Sequence, residues 1–243
     1  MDESLLLGFA DSEETHWWFV VRRRIVEAAI AAAGLPADAR VLEVGCGTGG
    51  FARHIATAHP GWRVTGIEPS GAAVAVATSR GCDVNEGTFE SLAAVDGSVD
   101  LLVALDVLEH CEDDLAAARE AVRVLAPGGV FVMTVPALPS LWSQHDVDNA
   151  HFRRYTRPRL RELLGRAGLE VERSTYFNSL LLPAAYVSRW VARVTGSRKA
   201  LGVDTPATPV NETMKAVFSI EVALLKRSDL PVGMSLLAVA KKR

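Results

Sequence analysis

Gly45, Gly47 and Gly49 follow the apolar run Val41-Leu42-Glu43-Val44 without a break, and Gly50 comes next. A strand that ends in glycines and opens a helix brings backbone against a small molecule with no side chain in the way. A second apolar run, Val64-Thr65-Gly66-Ile67, ends in Glu68, an acid placed for the two hydroxyls of a ribose. A third ends at Leu105-Asp106 and leads into Leu108-Glu109-His110. Asp106, Glu109 and His110 are spaced i, i+3, i+4 and would share one face of a helical turn. Such a triplet could bind a divalent metal, but a structural or substrate-facing role is the simpler reading and no metal is expected. A polar stretch further on holds Trp142-Ser143-Gln144-His145-Asp146 and His151-Phe152-Arg153-Arg154-Tyr155. His145 or His151 could act as a general base, oriented by Asp146. Arg153 or Arg154 could hold an anionic group, or Arg154 and Tyr155 could tie the loop to the next helix.

These groups need a scaffold. A helix is expected over 14–33, with Trp17, Trp18, Val21 and Ile25 on one side and a close at Gly34 and Pro36. Strands are expected over 40–44, 63–67, 82–85, 99–105, 130–135, 169–177 and 236–241, with helices between most of them and a polar loop over 137–157. That alternation means βαβ units, a parallel sheet and right-handed crossovers. Residues 178–231 do not fit a minimal domain of this kind. They read as a helical insertion: a helix over 180–194, a loop over 196–210 and a helix over 212–227. Extra core, a substrate lid, a dimer surface and a membrane-surface helix with Arg189, Arg193, Arg198 and Lys199 nearby are all open to it.

The chain has 243 residues and a formal net charge of −3. The length suits one domain, and the charge argues against a general nucleic-acid binder. The three cysteines are an odd number with no CxxC pair, which suits a reducing compartment. The first residues are acidic, unlike a signal peptide, and no apolar run is long enough for a transmembrane helix. A cytoplasmic location is expected, with monomer or homodimer left open.

Gly45-x-Gly47-x-x-Gly50 also matches a dinucleotide fingerprint, so an NAD-type oxidoreductase is a rival. The surroundings narrow the choice. Glu43 stands two residues before the first glycine, Asp106 ends the third apolar run, and Leu125-Ala126-Pro127-Gly128-Gly129 precedes the next strand. Over about residues 38–177 and the final strand, this order resembles the class I S-adenosylmethionine-dependent methyltransferases of small-molecule type, similar to the quinone-precursor O-methyltransferases.

The resemblance implies an α/β fold: a Rossmann-like, doubly wound sheet of seven strands in order 3-2-1-4-5-7-6, the last antiparallel. It implies one domain over 1–243, made of an N-terminal helical lid (1–36), a cofactor-binding core (37–177), a helical insertion (178–231) and a final strand (232–243). The implied cofactor is S-adenosylmethionine. Gly45, Gly47 and Gly49 would pass close to its methionine and ribose, Glu68 would take the ribose, and Pro69, Thr88 and Phe89 would line the adenine. Thr88 stands where relatives often carry an acid. Leu105 and Asp106 would meet the methionine amino group, and Arg22 or Arg23 its carboxylate. Trp17, Trp18, His110, Arg154 and Tyr155 would face the substrate, and His145, His151 and Asp146 would form the catalytic set. The implied reaction is methylation of a small, partly apolar acceptor, most simply at oxygen. N- or C-methylation of a natural product or sugar, and a non-catalytic cofactor-binding module, are the alternatives. No nucleic-acid partner is expected, and peripheral membrane contact is open.

Overall fold

The structure, a computed structural model, describes residues 10, 12–195 and 206–243. Strand β4 (Val99–Leu105) is the centre of the sheet. Its Leu101, Leu102 and Val103 have no exposed surface, as expected of a strand covered on both faces. β1 (Arg40–Val44) pairs in parallel with β4 on one side and with β2 (Arg63–Glu68) on the other, and β3 (Asp83–Glu86) lies beyond β2. On the far side of β4, β5 (Leu125–Pro136) is parallel to it. β7 (Ser235–Lys242) then inserts antiparallel between β5 and β6 (Leu169–Phe177). The sheet order is 3-2-1-4-5-7-6, as the resemblance implied.

Alternate side chains of each strand enter different cores. Leu102 and Ala104 pack with helices α4 (Asp114–Val124) and α6 (Arg157–Ala167). Leu101, Val103 and Leu105 pack with α1 (Trp17–Ala31), α2 (Gly50–Ala58) and α8 (Thr208–Leu225). Each fully buried aliphatic or aromatic side chain contributes about 1.5–3 kcal/mol. α1 alone buries Val21, Ile25, Val26 and Ile30, so it is part of the core as well as a cover. α3 (Gly71–Ser79) joins β2 to β3, and α7 (Leu182–Thr195) follows β6.

Local signals set the boundaries. The His16 side chain accepts from the Trp18 amide at 3.2 Å and starts α1; Asp113 caps α4 through the amides of Leu115 and Ala116. Three expectations need adjustment, the first being β5, which starts at Leu125, five residues before the expected 130. The expected loop over 137–157 contains a turn of 3-10 helix (Pro139–Leu141) and the short helix α5 (Gln144–Asp148), started by a Ser143–Asp146 capping box. The last long helix starts at Thr208, four residues before the expected 212, because Pro209 is well suited to a first turn. Residues 196–205 of the expected loop over 196–210, with Arg198 and Lys199, lie outside the described residues. Among the described residues no helix is long and apolar enough to cross a membrane.

Candidate functional site

The carboxyl ends of β1, β2 and β4 converge on one edge of the sheet. At the first, Gly45, Gly47 and Gly49 have φ of 66°, 55° and 84°, the left-handed region that glycine enters without strain. A Cβ on Gly45 would lie 2.6 Å from Val107 Cγ2, so the turn also needs the missing side chain for space. Glu68, at the end of β2, is buried. Its carboxylate accepts from the Gly47 amide at 2.9 Å and the Ser70 amide at 3.1 Å. Each carboxylate oxygen still has acceptor capacity. Beneath the turn Glu43 is buried; desolvation, reinforced by Glu13, pushes its carboxyl up to about 8. Pro69 and Thr88 are exposed beside this end, while Phe89 is buried with its ring edge-on to Phe131.

The N-terminal segment closes over this edge. Asp106, with φ of 59° just past β4, forms an ion pair with Arg22 of α1 and accepts from Thr134 Oγ1 at 3.1 Å. Its neighbour Leu105 is buried. Glu13 accepts from Thr48 Oγ1 at 2.9 Å and from Arg80 at 3.1 Å, and lies against Gly50. Trp18 stacks on Phe177 and Phe218, with ring centroids 5.7 Å from each. Trp17 is buried and edge-on to Phe218. Asn211 of α8 fixes the start of α1: its side chain accepts from the Trp17 amide at 2.9 Å and donates to the Thr15 carbonyl at 3.0 Å. Glu13 and Asn211 are absent from the sequence reading, and the first lies in an acidic run that looks like ordinary solvated surface.

A third group sits beyond β4 and β5. Asp146 is fully buried and accepts from His151 Nδ1 at 3.0 Å, Arg154 Nε at 2.7 Å and the Ser143 amide at 2.8 Å. Burial pushes its carboxyl up, but His151 and Arg154 outweigh that and hold it well below the usual carboxylate range. An ionised carboxylate only accepts, so His151 Nδ1 is the donor and its other ring nitrogen carries no proton in the neutral ring. His110 stands edge-on to His151, ring centroids 4.7 Å apart, and His145 lies 6.2 Å from it. Burial, with His151 beside it, pushes the His110 imidazole down to about 4, so it is neutral at physiological pH. Arg154 also donates to the Ala137 carbonyl at 3.0 Å, and the buried Tyr155 hydroxyl donates to Asp114 at 3.0 Å. These two side chains tie the loop to the sheet and to α4.

Glu109 is fully buried with neither carboxylate oxygen hydrogen-bonded. Burial and the adjacent Asp106 push its carboxyl well up. One ligand atom from each of Glu109, His110 and His151 lies within 4.8 Å of the others. The sequence spacing grouped Asp106 with Glu109 and His110. In the structure Asp106 is turned to Arg22 and Thr134, and His151 completes the cluster.

A family profile described as a methyltransferase domain matches residues 19–174. The chain belongs to the S-adenosylmethionine-dependent methyltransferases. It is 36% identical over 163 residues to a probable S-adenosylmethionine-dependent methyltransferase of Mycolicibacterium smegmatis, which covers 65% of this chain and 62% of that one. It is 36% identical over 115 residues to a ubiquinone biosynthesis O-methyltransferase of Xanthomonas oryzae, covering 44% of this chain and 47% of that one. The chain thus spans less than two thirds of the length of these relatives. A putative sarcosine dimethylglycine methyltransferase from Galdieria sulphuraria has the same fold, with TM-score 0.64, 19% identity, and coverage of 92% of this chain and 86% of that one.

S-adenosylmethionine is the cofactor of this methyltransferase, and the sulfonium methyl it supplies is already electrophilic. The chain's own residues fit it. The glycine turn keeps its backbone bare at this edge, since Val107 leaves no room for a Cβ at Gly45. Glu68 would hold the ribose while bracing that turn through Gly47. Arg22 and Asp106 offer one charge of each sign for the zwitterionic methionine end. Glu68→Ala should weaken cofactor binding by about 1–3 kcal/mol, the cost of leaving buried donors without a partner. Titration calorimetry reads this directly, and unchanged affinity would remove Glu68 from the cofactor site.

Proposed function

We propose that this methyltransferase methylates an oxygen of a small, partly apolar acceptor, with the Asp146–His151 pair preparing the nucleophile. One observation carries the reading: a buried, ionised carboxylate fixes His151 through Nδ1. The ring nitrogen that Asp146 does not hold is free to take a proton from a hydroxyl acceptor. S-adenosylmethionine, when bound, would supply the methyl group to that hydroxyl oxygen, and His151 would keep the proton. Asp146 stabilises the imidazolium and sets its orientation. Exposed Trp142 and Phe152 flank this histidine loop in sequence, which supports an acceptor with apolar or aromatic parts. The likeness to a relative named for O-methylation in ubiquinone biosynthesis supports a phenolic oxygen. An amine acceptor would need no such base.

A second reading of the same cluster is favoured by Glu109, whose buried, unpartnered oxygens lie with His110 and His151 at ligand spacing. A divalent cation held there would lower the acceptor's proton affinity and replace the base. The experiment is a set of phenols, hydroquinones and amines incubated with S-adenosylmethionine, with the methylated atom located by mass spectrometry and carbon NMR, with and without EDTA. Phenolic products at undiminished rate in EDTA support the histidine base and remove the metal. Loss of rate that added magnesium restores supports the metal. Products methylated on nitrogen alone overturn oxygen transfer.

A further inference from the structure

Helix α8 has an inner and an outer face. Asn211, Phe218, Glu221 and Leu225 are buried, and Phe218 and Leu225 pack in one core with α1. That side holds the helix in place. Toward solvent, Val210, Thr213, Val217, Ile220 and Leu224 follow one another at alternating spacings of three and four, the seam of a two-helix packing. Val210, Ile220 and Leu224 are 50%, 53% and 39% exposed, and Val217 is half-buried. Thr213 donates its hydroxyl to the Pro209 carbonyl at 2.8 Å, so it offers the seam its methyl group. Ala216 and Ala223, both exposed, run along one border and let a second helix come close. On the other border Glu221 accepts from the Ser179 and Leu180 amides at 2.7 and 2.8 Å, which sets the exposed Leu180 beside the seam. The Ser179 hydroxyl donates to the carbonyl of Val232, also exposed. Apolar side chains gathered in this way mark an interaction surface more strongly than scattered ones.

The charges beside the seam identify what covers it. Glu212 stands near the start of α8 and Lys226 just past its end, both exposed. Fourteen residues separate them, about four helical turns, so they lie on the same flank. Glu212 pairs with Lys215 at 2.6 Å and keeps more than half of its side chain exposed. We propose that a second copy of this chain covers the face, with the two α8 helices antiparallel across a two-fold axis. Such a contact must be self-complementary. Here the antiparallel order brings Glu212 of each copy opposite Lys226 of the other. No seam position carries a charge, so none is set against its own copy. A lipid surface is the poorer fit. It reads neither the three-and-four spacing nor the place of an acid, and Glu212 would meet an anionic headgroup as a like charge. The contact does not depend on which acceptor is methylated.

Sedimentation velocity of the full chain over a concentration series tests this with no acceptor present, so its failure would leave the methyltransferase reading intact. We expect a monomer–dimer equilibrium in which the dimer dominates at about 100 μM, where even a weak specific contact is occupied. Ile220→Glu should weaken dimerisation about a hundredfold or more, because each contact would then bury two carboxylates without partners. Glu212→Lys should weaken it about fivefold. Glu212→Lys combined with Lys226→Glu should restore it, since the opposite charges again meet across the two-fold axis. Cofactor affinity measured on these variants should match the parent and shows that they are folded. A monomer throughout the series would overturn the proposal, as would a dimer that Ile220→Glu leaves intact. A dimer that Ile220→Glu dissociates and the double substitution fails to restore would overturn the antiparallel arrangement. Flotation of the monomer with vesicles of phosphatidylcholine mixed with phosphatidylglycerol, lost in Ile220→Glu, would assign the face to lipid and overturn it as well.

Discussion

Gly45→Ala should weaken S-adenosylmethionine binding by a hundredfold or more and leave the chain folded. Two physical effects combine. The φ of 66° at Gly45 is a conformation that costs an alanine about 1–2 kcal/mol. The new Cβ would also sit 2.6 Å from Val107 Cγ2, well inside van der Waals contact. Val107 is β-branched and has few rotamers to retreat into. It follows Asp106 directly, so relief of the overlap would shift the group paired with Arg22. The Gly45 amide also donates to the Ile67 carbonyl at 2.7 Å, next to Glu68, so the same movement reaches the ribose acid. Gly34→Ala supplies the control. Gly34 has nearly the same φ, 67°, yet a Cβ there meets nothing within 4 Å. It should lower stability by the strain alone and leave cofactor affinity unchanged. Calorimetric titration and thermal denaturation of both variants make the comparison. Equal affinities for the two would mean that the turn does not approach the cofactor.

The cofactor half of the molecule was legible in the sequence because its demands are local. Gly45, Gly47 and Gly49 adopt a backbone that only glycine takes easily, so composition reports conformation. The apolar run Leu101–Leu105 of β4 reports burial on both faces. The antiparallel final strand was different: nothing in Ser235–Lys242 encodes its direction, and it came from the resemblance alone. Helix α5 escaped the reading because its five residues are too few for any periodicity. Ser143 and Asp146 did carry the capping signal that starts it. The histidine cluster was half legible. His151 lies five residues from Asp146 in a loop, and no spacing rule says that it returns to His110 and Glu109. Glu13 and Asn211 were invisible for a related reason: each acts on residues far along the chain, Glu13 on Thr48 and Arg80, Asn211 on Thr15 and Trp17.

Asp146→Asn and His151→Gln should separate what the buried loop charge does for folding from what it does for chemistry. Asp146 is the shared acceptor for His151 and Arg154 and has no exposed surface. Replacing its carboxylate leaves the Arg154 guanidinium buried without a counter-charge, which costs about 3–5 kcal/mol. The variant's thermal midpoint should fall accordingly at neutral pH. The sign of the pH dependence follows from the depressed carboxyl of Asp146. Its stabilising effect is present above the ordinary carboxylate range, about pH 4, and is lost as pH falls toward the folded-state value. The gap between parent and Asp146→Asn should therefore be full at pH 7 and shrink in acid. A gap that stayed constant down to low pH would show that Asp146 is not held ionised by its partners. His151→Gln keeps the Asp146–Arg154 pair and removes only the imidazole. Its midpoint should change far less, while turnover of a phenolic acceptor should fall about 100- to 10,000-fold, the usual range for a lost general base. Cofactor affinity should be unchanged, since the base touches the acceptor and not the methyl donor. Wild-type turnover in His151→Gln would remove both the base and the metal-ligand roles of His151 at once, because each requires a ring nitrogen at that position.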